Sequence, residues 1–309
     1  MKVLFTGIGS IAKRHIRNLQ AVAKARGIDL TIDAFRRLTA GDAPEGVSRV
    51  YCIADEVPGD YDVIFITNPT EKHLETLKAF HDKGRDFFIE KPVVSLSQIS
   101  EAKSFKLREK SAYYVACPLR YNAVINFVKE NVDPQNVISV RSISSSYLPD
   151  WRPGQDYRET YSAHRDMGGG VSIDLIHEWD YLTYLFGWPK GVHSFIGKKS
   201  DLEIDSDDYA VYIAEYEDKI AELHLDYFGR KTIREIELFT TEETILGDIA
   251  NNRITFLKSG EVIDFKEERD DFQRRELECF LDMITDRDDI EDGFNHAVDV
   301  LELTQGRMR

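Results

Sequence analysis

The first nineteen residues, MKVLFTGIGSIAKRHIRNL, change character halfway along, and that change limits what the chain can fold into. Val3, Leu4 and Phe5 make a short apolar strand, whereas Ile11, His15, Ile16 and Leu19 recur at the spacing of one helix face. Between them stand Gly7, Ile8, Gly9, Ser10, Ile11 and Ala12, the pattern G-x-G-x-x-A. In a strand-turn-helix unit Gly7 permits the tight turn, Gly9 lets a pyrophosphate approach the backbone, and Ala12 lets helix pack on strand. The anion then rests on the N–H groups that open the helix, at Ser10, Ile11 and Ala12. Glycine-rich turns also occur merely to reverse the chain. The dinucleotide reading is favoured here because the strand starts at once and the helix follows directly.

The next stretches repeat the alternation of strand and helix. Leu30 to Phe35 reads as a strand that runs into Arg36 and Arg37. At this point of a dinucleotide fold an acid selects NAD and an arginine accommodates the 2′-phosphate of NADP, so the two arginines favour NADP, with NAD the alternative. Asp33 is the one nearby acid, and alternation along the strand leaves its direction open. Val63 to Thr67 is a continuous apolar strand, ended by Asn68, Pro69 and Thr70 before a helix through His73; Phe87 to Ile89 ends in Glu90, Lys91 and Pro92; Tyr113 to Ala116 closes the series. Such alternation makes a doubly wound parallel sheet that binds ligands beyond the strand C-termini. Thr67, Asn68, Pro69, His73, Glu90 and Lys91 are therefore candidates for the cofactor side of the site.

Beyond Pro118 the pattern changes. A helix near Ala123 to Glu130 and a strand at Ile138 to Ser144 lead to a loop rich in aromatic and basic residues, then to three glycines and a helix, VSIDLIHEWDYLTYLFG. From Ala210 onward short segments alternate as half-exposed antiparallel strands, and two helices close the chain. The expectation is a dinucleotide-binding α/β domain over 1–118 and an α+β domain with an open-faced, mostly antiparallel sheet over 119–309.

The net charge of −15 argues against a nucleic-acid or anionic-membrane partner. It is unevenly spread, with 18 Lys and Arg against 15 Asp and Glu up to Pro118 and 22 against 40 beyond, so the half with the glycine turn suits a polyanionic cofactor. No run of about 18 apolar residues occurs and no apolar leader opens the chain, which predicts a cytoplasmic protein. Cys52, Cys117 and Cys279 are far apart and in no metal-binding spacing, so they are expected to be buried thiols, with no metal site.

Three separated features, the glycine turn, Glu90-Lys91-Pro92 at a strand end, and Asp174 with His177 after a triple glycine, stand in an order that resembles the glucose–fructose oxidoreductase and inositol dehydrogenase (Gfo/Idh/MocA) family along the whole chain. The resemblance implies a Rossmann domain for NAD or NADP and a C-terminal sheet that carries the substrate and often builds an oligomer interface. It implies that Lys91 binds the reacting hydroxyl and that Asp174 and His177 are the catalytic aspartate and histidine. The family spacing is D-x-x-x-H, and Asp174-Leu175-Ile176-His177 is one residue shorter.

The residues support the same roles independently. Oxidising a secondary alcohol needs a base for the hydroxyl proton, which a histidine near neutrality supplies, and a cation for the developing alkoxide, which Lys91 supplies. Residues three apart share a helix face, so Asp174 is expected to reach the same pocket. The plain alternatives are a core histidine and a surface lysine. Trp151 and Tyr161 could stack on a sugar ring, Arg120 and Arg152 could bind carboxylate or phosphate, and His164 joins them as a substrate-side candidate; an interface loop has the same composition. The substrate expected is a polar sugar derivative, such as a nucleotide sugar or sugar acid. A glycosidase using bound NAD as an internal carrier and a non-catalytic dinucleotide-binding regulator are the rival readings. The open sheet face predicts a homo-oligomer, a dimer or tetramer.

Overall fold

The computed structural model describes residues 1–36, 43–287 and 293–307, and the chain divides into two compact units. The first comprises Met1–Ala116 with Gln273–Val298, the second Cys117–Phe272 with Asp299–Arg309. Residues 273–298, which the sequence alone assigns to the C-terminal domain, thus belong with the first unit.

In the first unit β1 (Lys2–Thr6), α1 (Ser10–Arg26), β2 (Thr31–Phe35), β3 (Arg49–Tyr51), β4 (Tyr61–Ile66), α2 (His73–Phe80), β5 (Gly84–Ile89), α3 (Ile99–Ser104) and β6 (Tyr113–Val115) follow in order. The strands form one parallel sheet ordered β3-β2-β1-β4-β5-β6, so the order reverses between β1 and β4. Phe5, Phe65, Phe88 and Tyr114 fall on one rung of this sheet. The rings of Phe5, Phe65 and Phe88 stack in sequence, with centroids 4.4 Å apart for Phe5 and Phe65 and 4.9 Å for Phe65 and Phe88, and Tyr114 lies tilted against Phe88. Phe280 closes this layer edge-on to Phe65 and Phe88. It lies on the helix Asp271–Asp286, whose Leu277, Phe280, Leu281 and Ile284 recur at i, i+3, i+4 and i+7 and make a stripe wide enough to cover the sheet. Residue 279 falls outside that stripe, so Cys279 is exposed, not buried as the sequence suggests, and Cys52 is only half-buried.

The second unit contains α4 (Ala123–Asn131), β7 (Val137–Tyr147), α5 (Val171–Asp174), α6 (His177–Phe186), β8 (Gly191–Gly197), β9 (Tyr209–Glu215), β10 (Ile220–Asp226), β11 (Phe228–Thr240), β12 (Thr244–Asp248), β13 (Arg253–Phe256) and β14 (Val262–Asp264). Its sheet is ordered β14-β13-β12-β11-β7-β10-β9-β8 and is antiparallel except where β7 meets β10. Two of its strands escape the sequence pattern. β8 is framed by glycines, and β12 contains Gly247, where a Cβ would lie 2.7 Å from Val124 of α4; glycine inside a strand weakens the alternation by which strands are recognised. One face is buried under Trp179 and Tyr181 of α6. The other carries Arg141, Glu222 and Glu237 in ion pairs beside apolar side chains, Phe195 and Ile220 among them.

The segment VSIDLIHEWDYLTYLFG is two helices, not the continuous one expected. Leu175, at φ −98° and ψ 35°, ends α5 after a single turn, and α6 starts at His177. Asp174 and His177 therefore stand on different helices and not on the one helix face that their spacing suggests.

Candidate active site

At the switch point the glycine turn is shaped by its neighbours. Gly7 has φ +89°, and a Cβ there would stand 2.8 Å from Cα of Asn68, so two independent constraints exclude a side chain. The hydroxyl of Thr67 donates to the carbonyls of Thr6 and Gly7 at 3.1 and 3.2 Å, lashing the β1 and β4 ends together. Gly9, the N-cap of α1, is exposed, and a Cβ built on it meets nothing within 4 Å. Ala12 is fully buried between helix and sheet. The opening of α1 is thus accessible at Gly9 and Ser10, the arrangement a pyrophosphate requires to reach the helix N–H groups.

Beside this turn lies a cavity of about 540 Å³ lined by Gly7, Ile8, Phe35, Arg36, Asn68, Pro69, Lys72 and Glu75 among others. Arg36 is the residue after β2, and its N–H donates to the Tyr51 carbonyl at 3.0 Å, which fixes where its side chain starts. Asp33 is buried and its carboxylate accepts the Tyr61 hydroxyl at 2.8 Å, so the acid left open by alternation is turned into the sheet. Arg37 lies outside the described residues. These residues fit an adenine dinucleotide: the opening of α1 would take its pyrophosphate, and the cavity beside it, lined in part by Arg36, would take its adenosine.

Lys91 follows β5 at the same carboxyl edge and is half-buried, with a cis peptide bond to Pro92. The side chain of Glu90 points into the unit, where one oxygen lies 2.5 Å from Nε2 of His15 and the other accepts the Lys91 N–H at 3.2 Å. Burial opposes its charge, but the His15 hydrogen bond and the nearby His15, Lys91 and His73 outweigh it and hold the carboxyl below its usual range. His73 is buried, with Nε2 2.8 Å from the Asn68 carbonyl and Nδ1 3.0 Å from that of Pro92. Burial pushes its pKa below the ordinary 6.5, against the pull of those two carbonyls and of Glu90.

In the second unit Trp151, Arg152, Tyr161 and Asp174 come together, joined by Tyr227. The Tyr227 hydroxyl donates to Asp174 Oδ2 at 2.6 Å, Trp151 meets the Tyr227 ring edge-on at 5.2 Å, and the Arg152 guanidinium lies over the Tyr161 ring. Burial and the Asp174 charge both push the two phenols up, so each stays a hydrogen-bond donor. Tyr227, fully buried, directly follows β10, and nothing in its local pattern marks it as part of a site. His177, half-buried, opens α6; the next residue, Glu178, is fully buried 2.7 Å from Nε of Arg234, and burial pushes its carboxyl up.

Two candidates are engaged elsewhere. Arg120 donates bidentately to Asp180 at 2.9 and 2.7 Å and lies over the Tyr184 ring. The His164 ring has Nε2 2.7 Å from the Arg158 carbonyl and Nδ1 3.7 Å from Asp205.

Two family models match the chain: the oxidoreductase family with an NAD-binding Rossmann fold over residues 1–116, and the GFO/IDH/MocA C-terminal domain over residues 127–246. An uncharacterised oxidoreductase of Bacillus subtilis is 26% identical over 194 residues, covering 60% of this chain and 54% of its own length. The inositol 2-dehydrogenase of Rhizobium meliloti is 24% identical over 184 residues, covering 59% and 53%. The chain therefore spans about half the length of the curated relatives it matches. A solved levoglucosan dehydrogenase in complex with NADH superposes with a TM-score of 0.84 at 15% identity, covering 99% of this chain and 95% of that one, a likeness of fold. The two models belong to one family and between them match both halves of the chain: the chain belongs to the Gfo/Idh/MocA oxidoreductase family, and residues 1–116 form its NAD-binding Rossmann domain.

Proposed function

We propose that the chain is an NAD(P)-dependent oxidoreductase that passes a hydride between the nicotinamide and a secondary alcohol or ketone carbon of a small sugar-type molecule. The observation that carries this reading is that the glycine turn and Lys91 stand at the same carboxyl edge of one parallel sheet, on β1 and β5 with only β4 between them. When bound, the nicotinamide supplies the hydride acceptor or donor. The Lys91 ammonium binds the substrate oxygen and stabilises the charge that grows on it. His177 takes the hydroxyl proton in oxidation and returns it in reduction. Asp174, bonded by Tyr227, orients the aromatic wall of Trp151 and Tyr161 against a sugar ring, and Arg152 binds an anionic substituent.

Arg36 in the adenosine cavity, together with Asp33 turned toward Tyr61, supports a preference for NADP. The names of relatives and neighbours, inositol 2-dehydrogenase and levoglucosan dehydrogenase, support a cyclic polyol or sugar as substrate. Phe195 and Ile220, 69% and 45% exposed on the outer sheet face, support a homo-oligomer formed through that face. Light scattering should then give a multiple of 35.5 kDa; the monomer mass alone at micromolar concentration contradicts it.

The test is to follow the ultraviolet absorbance of reduced nicotinamide with a panel of sugars, polyols and their ketones. Net cofactor turnover with at least one is expected. A glycosidase with an internal NAD carrier would release sugar with no net change in reduced cofactor, and a regulator would do neither.

A further inference from the structure

His15 is 1% exposed between aromatic rings, tilted 6.2 Å from Phe65 and edge-on 5.1 Å from Phe88. A leucine would fill that space without burying a polar ring. Its Nδ1 is buried with no hydrogen-bond partner among the described residues, a cost that packing alone does not offset. Its Nε2 faces Glu90 at 2.5 Å. Glu90 could have pointed to solvent from the end of β5; instead its side chain is 12% exposed and bridges His15 to the N–H of Lys91. From the other side His73 wedges between the carbonyls of Asn68 and Pro92, and Asn68 backs on Gly7. The contacts run from the glycine turn through Asn68, His73 and Pro92 to Lys91, and back through Glu90 and His15 to α1, the helix that the turn opens.

We propose that His15 and Glu90 are positioning residues for Lys91: their hydrogen bond fixes the Lys91 peptide to α1, so that one helix sets both the lysine and the cofactor pyrophosphate. This rests on the reading that Lys91 acts beside the bound nicotinamide. The carboxylate is the joint of the arrangement, since it touches both His15 and the Lys91 amide, and its depressed pKa keeps it a double acceptor at neutral pH. If His15 served packing alone, its replacement by an apolar residue would change stability and leave the lysine where it is.

The experiment measures acetylation of Lys91 by mass spectrometry, with and without NADPH at about a hundredfold excess over its Kd, where less than a few per cent of the protein is free. In the wild type NADPH should slow Lys91 acetylation about tenfold or more. His15→Leu should reduce that protection to less than about twofold, the loss expected for one charge-assisted hydrogen bond. The NADPH Kd, read from nicotinamide fluorescence, should stay within about threefold, because the pyrophosphate cradle is untouched. His15→Gln, whose amide nitrogen can take the place of Nε2, should restore protection. The double variant His15→Leu/Glu90→Met, which removes both polar partners, should recover Tm without recovering protection. No protection of Lys91 in the wild type would overturn the reading of Lys91 itself. Protection in the wild type that persists in His15→Leu, or returns with Tm in the double variant, would overturn the positioning role alone.

Discussion

At the carboxyl edge of the parallel sheet, Gly7, Thr67 and Glu90 each have a backbone N–H that continues a strand ladder, donating to Phe35, Thr6 and Ile66. Around Asp174 the side chains come from separate stretches, at Trp151, Tyr161, Asp174 and Tyr227, and meet through ring contacts and phenol hydrogen bonding to the carboxylate. The first arrangement is inherited from sheet topology; the second is assembled by side chains. Backbone-held positions carry the part of the chemistry common to a dinucleotide fold, whereas a side-chain cluster can be rebuilt to suit one substrate. On this account substitutions at the first edge damage turnover with any substrate, and substitutions in the cluster alter which substrate is used.

The largest effects should come from the two groups assigned to proton and alkoxide. Lys91→Met and His177→Ala are each expected to lower kcat by about 10² to 10⁴ while the cofactor Kd stays near the wild-type value. Steady-state kinetics with the best substrate of the panel checks this, and wild-type turnover in either variant removes that residue from the mechanism. Next is Arg36→Ala, which should cost about ten- to hundredfold in NADPH affinity with little change for NADH, as expected for loss of a bidentate guanidinium contact to phosphate. Titrating both reduced cofactors decides it, and an unchanged ratio reduces Arg36 to a surface charge. Tyr227→Phe should lower kcat/KM about tenfold for the preferred sugar, by removing from Asp174 one charge-assisted hydrogen bond worth about 1.5 to 3 kcal/mol. If all substrates fall equally, the cluster is not a specificity device and the contrast between the two regions fails.

The smallest effect concerns pH. His73 has a folded pKa below its unfolded value of 6.5, so the stability it contributes is present above that value and is lost as pH falls through it, when the unfolded chain takes up a proton that the folded one refuses. Thermal unfolding should therefore show Tm declining below about pH 6.5, and His73→Gln should flatten that part of the profile. A wild-type Tm that rises as pH drops over this range contradicts the assignment.

The same contrast decides what could be read from the chain. The glycine turn, the apolar β4 and the strand-end Lys91 are local signals, because turn, strand and helix each occupy adjacent residues. The direction of Asp33 was not legible: its partner Tyr61 lies on another strand, and alternation alone cannot say which neighbour a side chain meets. Glu90 reads in the sequence as part of the cofactor side, but its carboxylate is bound to His15, 75 residues away. Tyr227 had no signal beyond its place at a strand end. The break at Leu175 was hidden because the flanking residues keep helical spacing on both sides. The helix Asp271–Asp286 was visible as a helix, and nothing in its own residues says that its apolar stripe covers a sheet formed by the first 115 residues.

The central claim, that this chain moves a hydride with the cofactor held at its glycine turn, is tested most directly with reduced nicotinamide cofactor deuterated at the transferring carbon. Incubated with the ketone that turns over best in the panel, the wild type should yield an alcohol carrying deuterium at the carbinol carbon, in amount equal to the cofactor oxidised. Lys91→Met should yield almost none. Product without deuterium, or cofactor unchanged while sugar is released, would contradict the account.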